Sequence, residues 1–299
     1  MFARQTFRIL VLGGFSSILG CDKVAPPSEG SSRSNPPAAA AVESRVRVSG
    51  SSALQPLINA AKEKFEAENA SASIEVSAGG SKKGLADVSS GAVQIGASDI
   101  FAGPNQGELV DHKVAVVGFA AMANKGAYDA QISSLTVEQL AKVFTGAIKN
   151  WKELGGDPEL IVVINRAPGS GTRTVFGDVV LGGEKFVESQ TEDNSGALVA
   201  KLKQTPGAIS YVALSFQDDE LLTLAIQSGR DVIAPTSENI ELGRYPIWSY
   251  EHLYTKRAAA PEVQKFLDYV LSQDFQTQVL PNVKGFIPIT LMKVQKDKD

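Results

Sequence analysis

Polar and apolar positions alternate at Arg45-Val46-Arg47-Val48, the period of a half-buried strand. Ser49-Gly50-Ser51-Ser52 follows as a turn, with Ser51 or Ser52 where a helix N-cap belongs and Pro56 in the first helical turn. Leu54, Leu57, Ile58, Ala61 and Phe65 then recur at helical spacing through about Asn69, with Lys and Glu on the other face. Ser73-Ile74-Glu75-Val76-Ser77 predicts a second strand, which runs into Ala78-Gly79-Gly80-Ser81-Lys82-Lys83-Gly84 before Leu85 and Val88 start a short helix. The apolar run Ile161-Val162-Val163-Ile164 reads as a buried strand and delivers the chain to Asn165-Arg166-Ala167-Pro168-Gly169-Ser170-Gly171-Thr172-Arg173. Thr174-Val175-Phe176 and Val179-Val180-Leu181 continue it as a helix. Three units thus carry Ser and Gly at a strand-to-helix turn, which points several helix N-termini at one crevice.

The rest of the chain fits a two-lobed α/β plan. Gln94 to Asp99 is a short strand ending in Ser98-Asp99. His112 to Met122, with Val114, Val116, Val117 and Phe119, is a buried strand long enough to cross between lobes, and Tyr245 to Tyr250 is its expected partner. Two such crossings make a hinge. Between them, Thr136-Val137-Glu138-Gln139 has capping-box spacing and opens a helix through about Phe144. Asn150-Trp151 to Gly156 reads as a loop, Asp193-Asn194-Ser195-Gly196 precedes a helix carrying Leu198, Val199 and Leu202, and Ala208 to Val212 is a strand. Pro261 to Leu271 is amphipathic and is expected to pack on the first lobe, while the Lys-rich tail from Lys293 is expected to fray.

The N-terminus breaks this pattern. Arg4 and Arg8 precede a short apolar stretch, Ile9 to Leu12 continuing to Ile18-Leu19, that is short for a membrane span and fits a secretory signal. It ends in Ile18-Leu19-Gly20-Cys21, and Cys21 is the only cysteine of the 299 residues, so an internal disulfide and Cys-cluster metal sites are excluded. The junction resembles a bacterial lipoprotein signal, in which residues 1–20 are removed and Cys21 is lipidated; a plain signal peptide is the alternative. Residues 21–44, rich in Pro, Ser and Ala, have little apolar surface to bury and are expected to form a disordered tether. If Asp22 directly follows a lipidated Cys21, it resembles the signal that retains lipoproteins on the inner membrane.

Charge constrains the partners. The net charge is −4, and −6 once Arg4 and Arg8 are lost, which argues against a nucleic-acid ligand. An acidic protein that binds an anion does so through local donors. The nonapeptide around Ser170 supplies them: free helix N–H groups, Ser170 and Thr172 hydroxyls, glycines that allow close approach, and the planar donor fork of Arg166. An ordinary N-capped helix after a tight turn would use the same residues. Asp99, a carboxylate near an anion site, makes sense if the ligand carries a proton that Asp99 accepts; the alternative is that it caps a turn. A Ser170 nucleophile would need a base, and the only histidines, His112 and His252, lie outside the motif loops and read as strand-end or core residues. There is no G-x-x-x-x-G-K-[ST] phosphate loop.

Several ordered blocks resemble one family: Gly50 to Pro56, Gly80 to Gly84, Gly96 to Asp99, Asp111 to Val117, Phe144-Thr145-Gly146 with Asn150-Trp151, Asn165-Arg166 with Gly169 to Arg173, Gln204 to Tyr211, and Pro246 to Glu251. Together, from about residue 46 to 292, they resemble the phosphate-binding proteins of bacterial high-affinity phosphate ABC importers. The resemblance implies a type II periplasmic-binding-protein-like fold, with residues 45–117 and 248–299 in one lobe and 118–247 in the other. Two crossing strands form the hinge, and one phosphate lies in the interlobe cleft. It implies a monomer, no catalysis and no cofactor or metal. The partners it implies are the importer's permease subunits and, through the lipid anchor, the outer face of the cell membrane. Carried over by position, Ser52 and the Ala53 N–H hold phosphate from the first helix start, Ser81 donates from the second turn, Asp99 accepts from the protonated ligand, Arg166 pairs with it, and Ser170, Gly171 and Thr172 donate from the second lobe. Lys82, Lys83 and Ala53 depart from the residues common in relatives. A binding protein for another tetrahedral oxyanion, or an adhesion or signalling protein on the same fold, is the alternative.

Overall fold

The computed structural model describes residues 44–125 and 132–297. The expected signal peptide, the tether and Cys21 lie outside the described residues. The strands are β1 (Ser44–Gly50), β2 (Ala72–Ala78), β3 (Ile95–Ser98), β4 (Leu109–Asn124), β5 (Ser134–Thr136), β6 (Val162–Val163), β7 (Asn165–Arg166), β8 (Thr191–Glu192), β9 (Ala208–Ala213), β10 (Leu221–Thr223), β11 (Ala225–Ser228), β12 (Asp231–Ile233), β13 (Trp248–Lys256) and β14 (Phe286–Ile287). The helices are α1 (Gln55–Glu68), α2 (Ser81–Ser90), α3 (Val137–Phe144), α4 (Gly171–Phe176), α5 (Ser195–Gln204), α6 (Ser237–Glu241) and α7 (Pro261–Leu271).

One strand organises the molecule. The main sheet runs β2-β1-β3-β13-β4-β9-β6, with β10 and β14 also on β4. From Leu109 to Gly118, β4 pairs antiparallel with β13; from Phe119 to Ala123 it pairs antiparallel with β9. The same strand therefore belongs to both lobes. The run Val114 to Asn124 is buried at every position, so neither face of this stretch sees water, and its sequence is correspondingly apolar rather than alternating. The return crossing lies beside it: the Phe119 N–H donates to the Ile247 carbonyl (2.8 Å), and the Tyr245 hydroxyl donates to the Phe119 carbonyl (2.9 Å). Burial raises the Tyr245 phenol above its ordinary pKa.

In the first lobe, β1 lies parallel between β2 and β3, and the strand-to-helix turns of β1-α1 and β2-α2 emerge at the same sheet edge. As expected, α7 packs back here, with the Phe266 ring 5.3 Å from that of Phe65 on α1 in an edge-on contact. In the second lobe the core is aromatic. Phe176 stacks on Tyr211 at 4.7 Å and 19°, and Phe144 meets Phe176 edge-on at 4.9 Å. Burying one such ring contributes about 1.5–3 kcal/mol.

The local chemistry departs from expectation in three places. Neither Ser51 nor Ser52 is the N-cap of α1: the helix starts one turn later, from Leu54, and Ser51 Oγ instead accepts the Ala53 N–H at 3.0 Å. The Asn150–Gly156 loop holds a 3-10 turn, capped by Asn150 Oδ1 on the Lys152 N–H (3.0 Å) and anchored by the fully buried Trp151, whose indole donates to the Gly207 carbonyl (3.1 Å). The tail does not fray through 297. Lys296 Nζ donates to the Pro246 (3.2 Å) and Trp248 (2.6 Å) carbonyls and lies 4.4 Å from the Trp248 ring, pinning the tail to the return crossing. Burial pulls the Lys296 ammonium down to about 8. The Thr136 capping box forms as read, Thr136 Oγ1 accepting the Gln139 N–H and Gln139 Oε1 the Thr136 N–H.

Candidate functional site

Three strand-to-helix turns and the end of β3 meet between the lobes. Ser52, Ala53, Ser81, Asp99, Arg166, Ser170, Gly171 and Thr172 are all buried there. Arg166, on β7, is only 1 % exposed, an unusual burial for a guanidinium that is repaid only by good partners. It has them. Nε donates to the Glu192 carbonyl (3.2 Å), Nη2 to the Asp193 carbonyl (3.1 Å) and Ser52 Oγ (3.2 Å), and Nη1 to Ser195 Oγ (3.2 Å). Burial lowers its pKa from the ordinary arginine value, while Asp99, Tyr211 and Asp193 act the other way. The aromatic core sets its position: the Tyr211 hydroxyl accepts the Arg166 N–H (3.1 Å) and donates to Asn165 Oδ1 (3.2 Å). Burial pushes the Tyr211 phenol up to about 12, so it stays neutral and keeps its donor.

Direct hydrogen bonds join the two lobes. Thr172 Oγ1 donates to Asp99 Oδ2 at 2.9 Å. The Ser52 and Ser195 hydroxyls lie 2.9 Å apart, and Ser52 Oγ also accepts the Ser195 N–H at 3.0 Å. The Lys82 N–H donates to the Gly169 carbonyl (3.1 Å), and Ser215 Oγ to the Ala53 carbonyl (2.9 Å). Two glycines permit this approach. A Cβ at Gly171 would stand 2.2 Å from Ser81 Oγ, and one at Gly80, whose φ is +81°, would stand 2.7 Å from the Gly169 carbonyl oxygen.

The roles are less uniform than the sequence suggests. Ser170 caps α4, its Oγ accepting the Arg173 N–H at 3.2 Å, which leaves the Gly171 and Thr172 N–H groups at the orphan positions of the helix start. Ser81 Oγ accepts the Asp99 N–H (2.9 Å) and so fixes the acid's backbone. The Ala53 N–H points to Ser51 Oγ. Lys82 meets the second lobe through its backbone, and Lys83 pairs with Asp87 on its own helix. Two residues were missed. Ser195 touches both Ser52 and Arg166, and its signal in the sequence was the Asn194 cap that starts α5. Glu251 is completely buried on β13; its signal was an acid in the middle of an otherwise enclosed strand. Among the described residues, no group of three or more His, Cys, Asp or Glu side chains is placed to hold a metal ion.

The chain as a whole is similar to known proteins. A family model described as the PBP superfamily domain matches residues 34–274. The chain is 48 % identical over 255 residues to the phosphate-binding protein PstS of Bacillus subtilis, covering 84 % of this chain and 82 % of that one. The chain belongs to the PstS family. Among solved structures, a Clostridium perfringens protein assigned as a phosphate ABC transporter substrate-binding protein, with phosphate bound, superposes with a TM-score of 0.75 at 28 % identity over 82 % of this chain and 99 % of that chain. An ABC-type phosphate transport receptor from Vibrio cholerae shares the fold, with a TM-score of 0.64 at 20 % identity over 82 % of this chain and all of that one. The two-lobed type II architecture read from the sequence is the fold of these relatives, and the strand β4 common to both lobes is its hinge element here. No described helix is long and apolar enough to cross a membrane.

Proposed function

We propose that this protein is an extracytoplasmic receptor that binds one inorganic phosphate between its lobes and delivers it to an ABC importer. The observation that carries the reading is Asp99 Oδ2, a buried acceptor at the end of β3, facing Thr172, α4 and Arg166 across the lobe boundary. Residues 45–117 with 248–299 move as one lobe and 118–247 as the other, about β4 and the Tyr245–Ile247 crossing. Ser52, the Ala53 N–H, Ser81, Arg166, Ser170, Gly171 and Thr172 donate to the ligand oxygens, and the Ala53 N–H turns from Ser51 to do so. Asp99 accepts from the ligand's own proton. Closure forms the lobe-to-lobe hydrogen bonds and lets both lobes contact the anion at once, which the open form cannot do, so ligand binding favours the closed form by its differential contacts.

Selectivity follows from proton count. Phosphate near neutral pH carries a proton; sulfate carries none and sets lone pairs against Asp99. A buried group left unpaired by the wrong ligand can discriminate by about 10⁴–10⁵. No metal or cofactor enters this scheme, and no reaction does. His252 is enclosed beside Asp111 (2.7 Å), stacked on Tyr254 and tilted against Phe101, while His112 pairs with Thr255, so neither stands as a base for Ser170. Lipidation at Cys21, a tether over 21–44, attachment to the outer face of the cell membrane and a monomeric state complete the proposal.

Calorimetric titration of ligand-stripped protein with phosphate and then sulfate tests it. Tight one-to-one phosphate binding with little sulfate response is expected. Tight binding of both would retain the anion cradle and remove the role of Asp99; binding of neither would remove the receptor reading.

A further inference from the structure

The first lobe buries a second acid behind Asp99. Glu251 is 0 % exposed, and neither of its carboxyl oxygens has a hydrogen-bond donor among the described residues. Asp99 Oδ1 is likewise buried without a donor, although Asp99 Oδ2 receives Thr172. β13 runs antiparallel to β3 with His252 opposite Ser98, a register that carries Glu251 alongside Asp99 at the end of the ladder. Three orphaned oxygens in one dry place contradict the general rule that buried polar atoms are paired. A single proton between the two acids pairs two of the three oxygens, one carboxyl donating to the other, and leaves the third as the uncharged carbonyl oxygen of an acid, which is cheaper to bury than a carboxylate.

The surroundings decide which acid keeps the proton. Asp99 faces the Arg166 guanidinium and accepts the Thr172 hydroxyl, both of which stabilise charge. Glu251 has no such support. From β4 its cross-strand neighbour is Ala115; on α2, which packs against β13, Lys82 is exposed and Lys83 is paired with Asp87. Asp99 is the charged group that bears on Glu251, and burial together with that neighbour pushes the Glu251 carboxyl well above the usual carboxylate range.

We infer that Glu251 is a positioning residue for ligand selection: it is held as the neutral acid, donates its O–H to Asp99 Oδ1, and so leaves Asp99 a charged acceptor aimed into the cleft through Oδ2. The ligand clause rests on the phosphate reading above; the location of the proton does not. Without this donor, Asp99 Oδ1 is left buried and unpaired and the carboxylate is free to turn, so Oδ2 is no longer aimed at the ligand and both its acceptance from phosphate and its repulsion of sulfate weaken.

Two measurements on the full chain test it. In protein labelled with ¹³C at glutamate carboxyls, the Glu251 resonance is identified by its loss in Glu251→Gln. At neutral pH it is expected at the position of a neutral acid, and a carboxylate position overturns the inference. Phosphate and sulfate affinities are then compared in Glu251→Gln, whose amide still donates, and in Glu251→Leu, which cannot. The glutamine variant keeps the phosphate-to-sulfate preference within about threefold, whereas leucine lowers it about tenfold or more, the scale of one buried hydrogen bond to a charged group. An unchanged preference in Glu251→Leu, or an equal loss in both variants, overturns the inference. Should leucine prevent folding, the carbon resonance of the unsubstituted protein decides. Failure of the unsubstituted protein to bind phosphate would remove the receptor reading while the resonance still decides where the proton lies.

Discussion

The two faces of the cleft are built from opposite chemistry. The first lobe presents small hydroxyls and acid: Ser52, Ser81 and Asp99, with Glu251 behind. The second presents a guanidinium and donors: Arg166, Ser195 and the capped start of α4. Their rigidity differs too. Arg166 is tied by four hydrogen bonds through its guanidinium and by Tyr211 through its backbone, whereas three oxygens of the acidic pair have no donor. On the proposed reading, the cationic face selects an anion and the acidic face selects one that carries a proton. A site with only the first face would take any small oxyanion.

Substitutions separate the two contributions. The largest effect is expected from Asp99→Asn, which removes the repulsion of sulfate: the preference for phosphate falls by on the order of 10³, more than phosphate affinity itself falls. Calorimetry with both anions reads this, and an unchanged preference would show that the acidic face does not select. Arg166→Met weakens the cationic face and is expected to lower both affinities together, by about 10- to 100-fold, the scale of a hydrogen bond to a charged group. A loss confined to phosphate would break the division of labour between the faces.

The contact between the faces is tested next. Gly171→Ala places a methyl 2.2 Å from Ser81 Oγ and 2.9 Å from Asp99 Cβ, so the lobes cannot close fully, and both affinities are expected to fall about tenfold. Gly169→Ala, in the same loop with nothing within 4 Å of the added atom, is the matched control and should bind as the unsubstituted protein does.

Acidity offers a further contrast. Because the folded state raises the Glu251 carboxyl above its ordinary value of 4.5, the folded protein keeps a proton that the unfolded chain releases. The associated stability is fully present below that ordinary value and is lost as pH rises through the folded value. Denaturant midpoints measured from acid to neutral pH should therefore decline less steeply in Glu251→Gln. An equal slope in both proteins would place the proton elsewhere. The smallest effect is expected far from the cleft: Thr136→Ala removes the α3 capping box at a cost of about 1 kcal/mol, or about 2–4 °C in the melting temperature, with both anion affinities unchanged.

The long elements were legible because their signals are local. Alternation marked β1, helical spacing marked α1 and α7, and an unbroken apolar run marked the shared strand β4. The small sheet β12-β11-β5 was not read, since strands of three or four residues carry too few positions to show a period. The Lys-rich tail was misread because composition suggested solvent, while Lys296 found two carbonyls and an indole ring brought there by the return crossing. Ser195 and Glu251 went unassigned for the same physical reason. A serine after a cap and a glutamate in a strand acquire a role only from groups far away in the chain.

By itself, then, the sequence determined the elements, the pairing of two crossing strands and the set of donors, because hydrophobic period and helix-start chemistry act over a few residues. The tertiary structure decided which donors meet. Ser52 touches Ser195 across 143 positions, and Thr172 touches Asp99 across 73. It also decided the charge of the acidic face, since the state of a buried carboxyl depends on what stands opposite it once water is excluded.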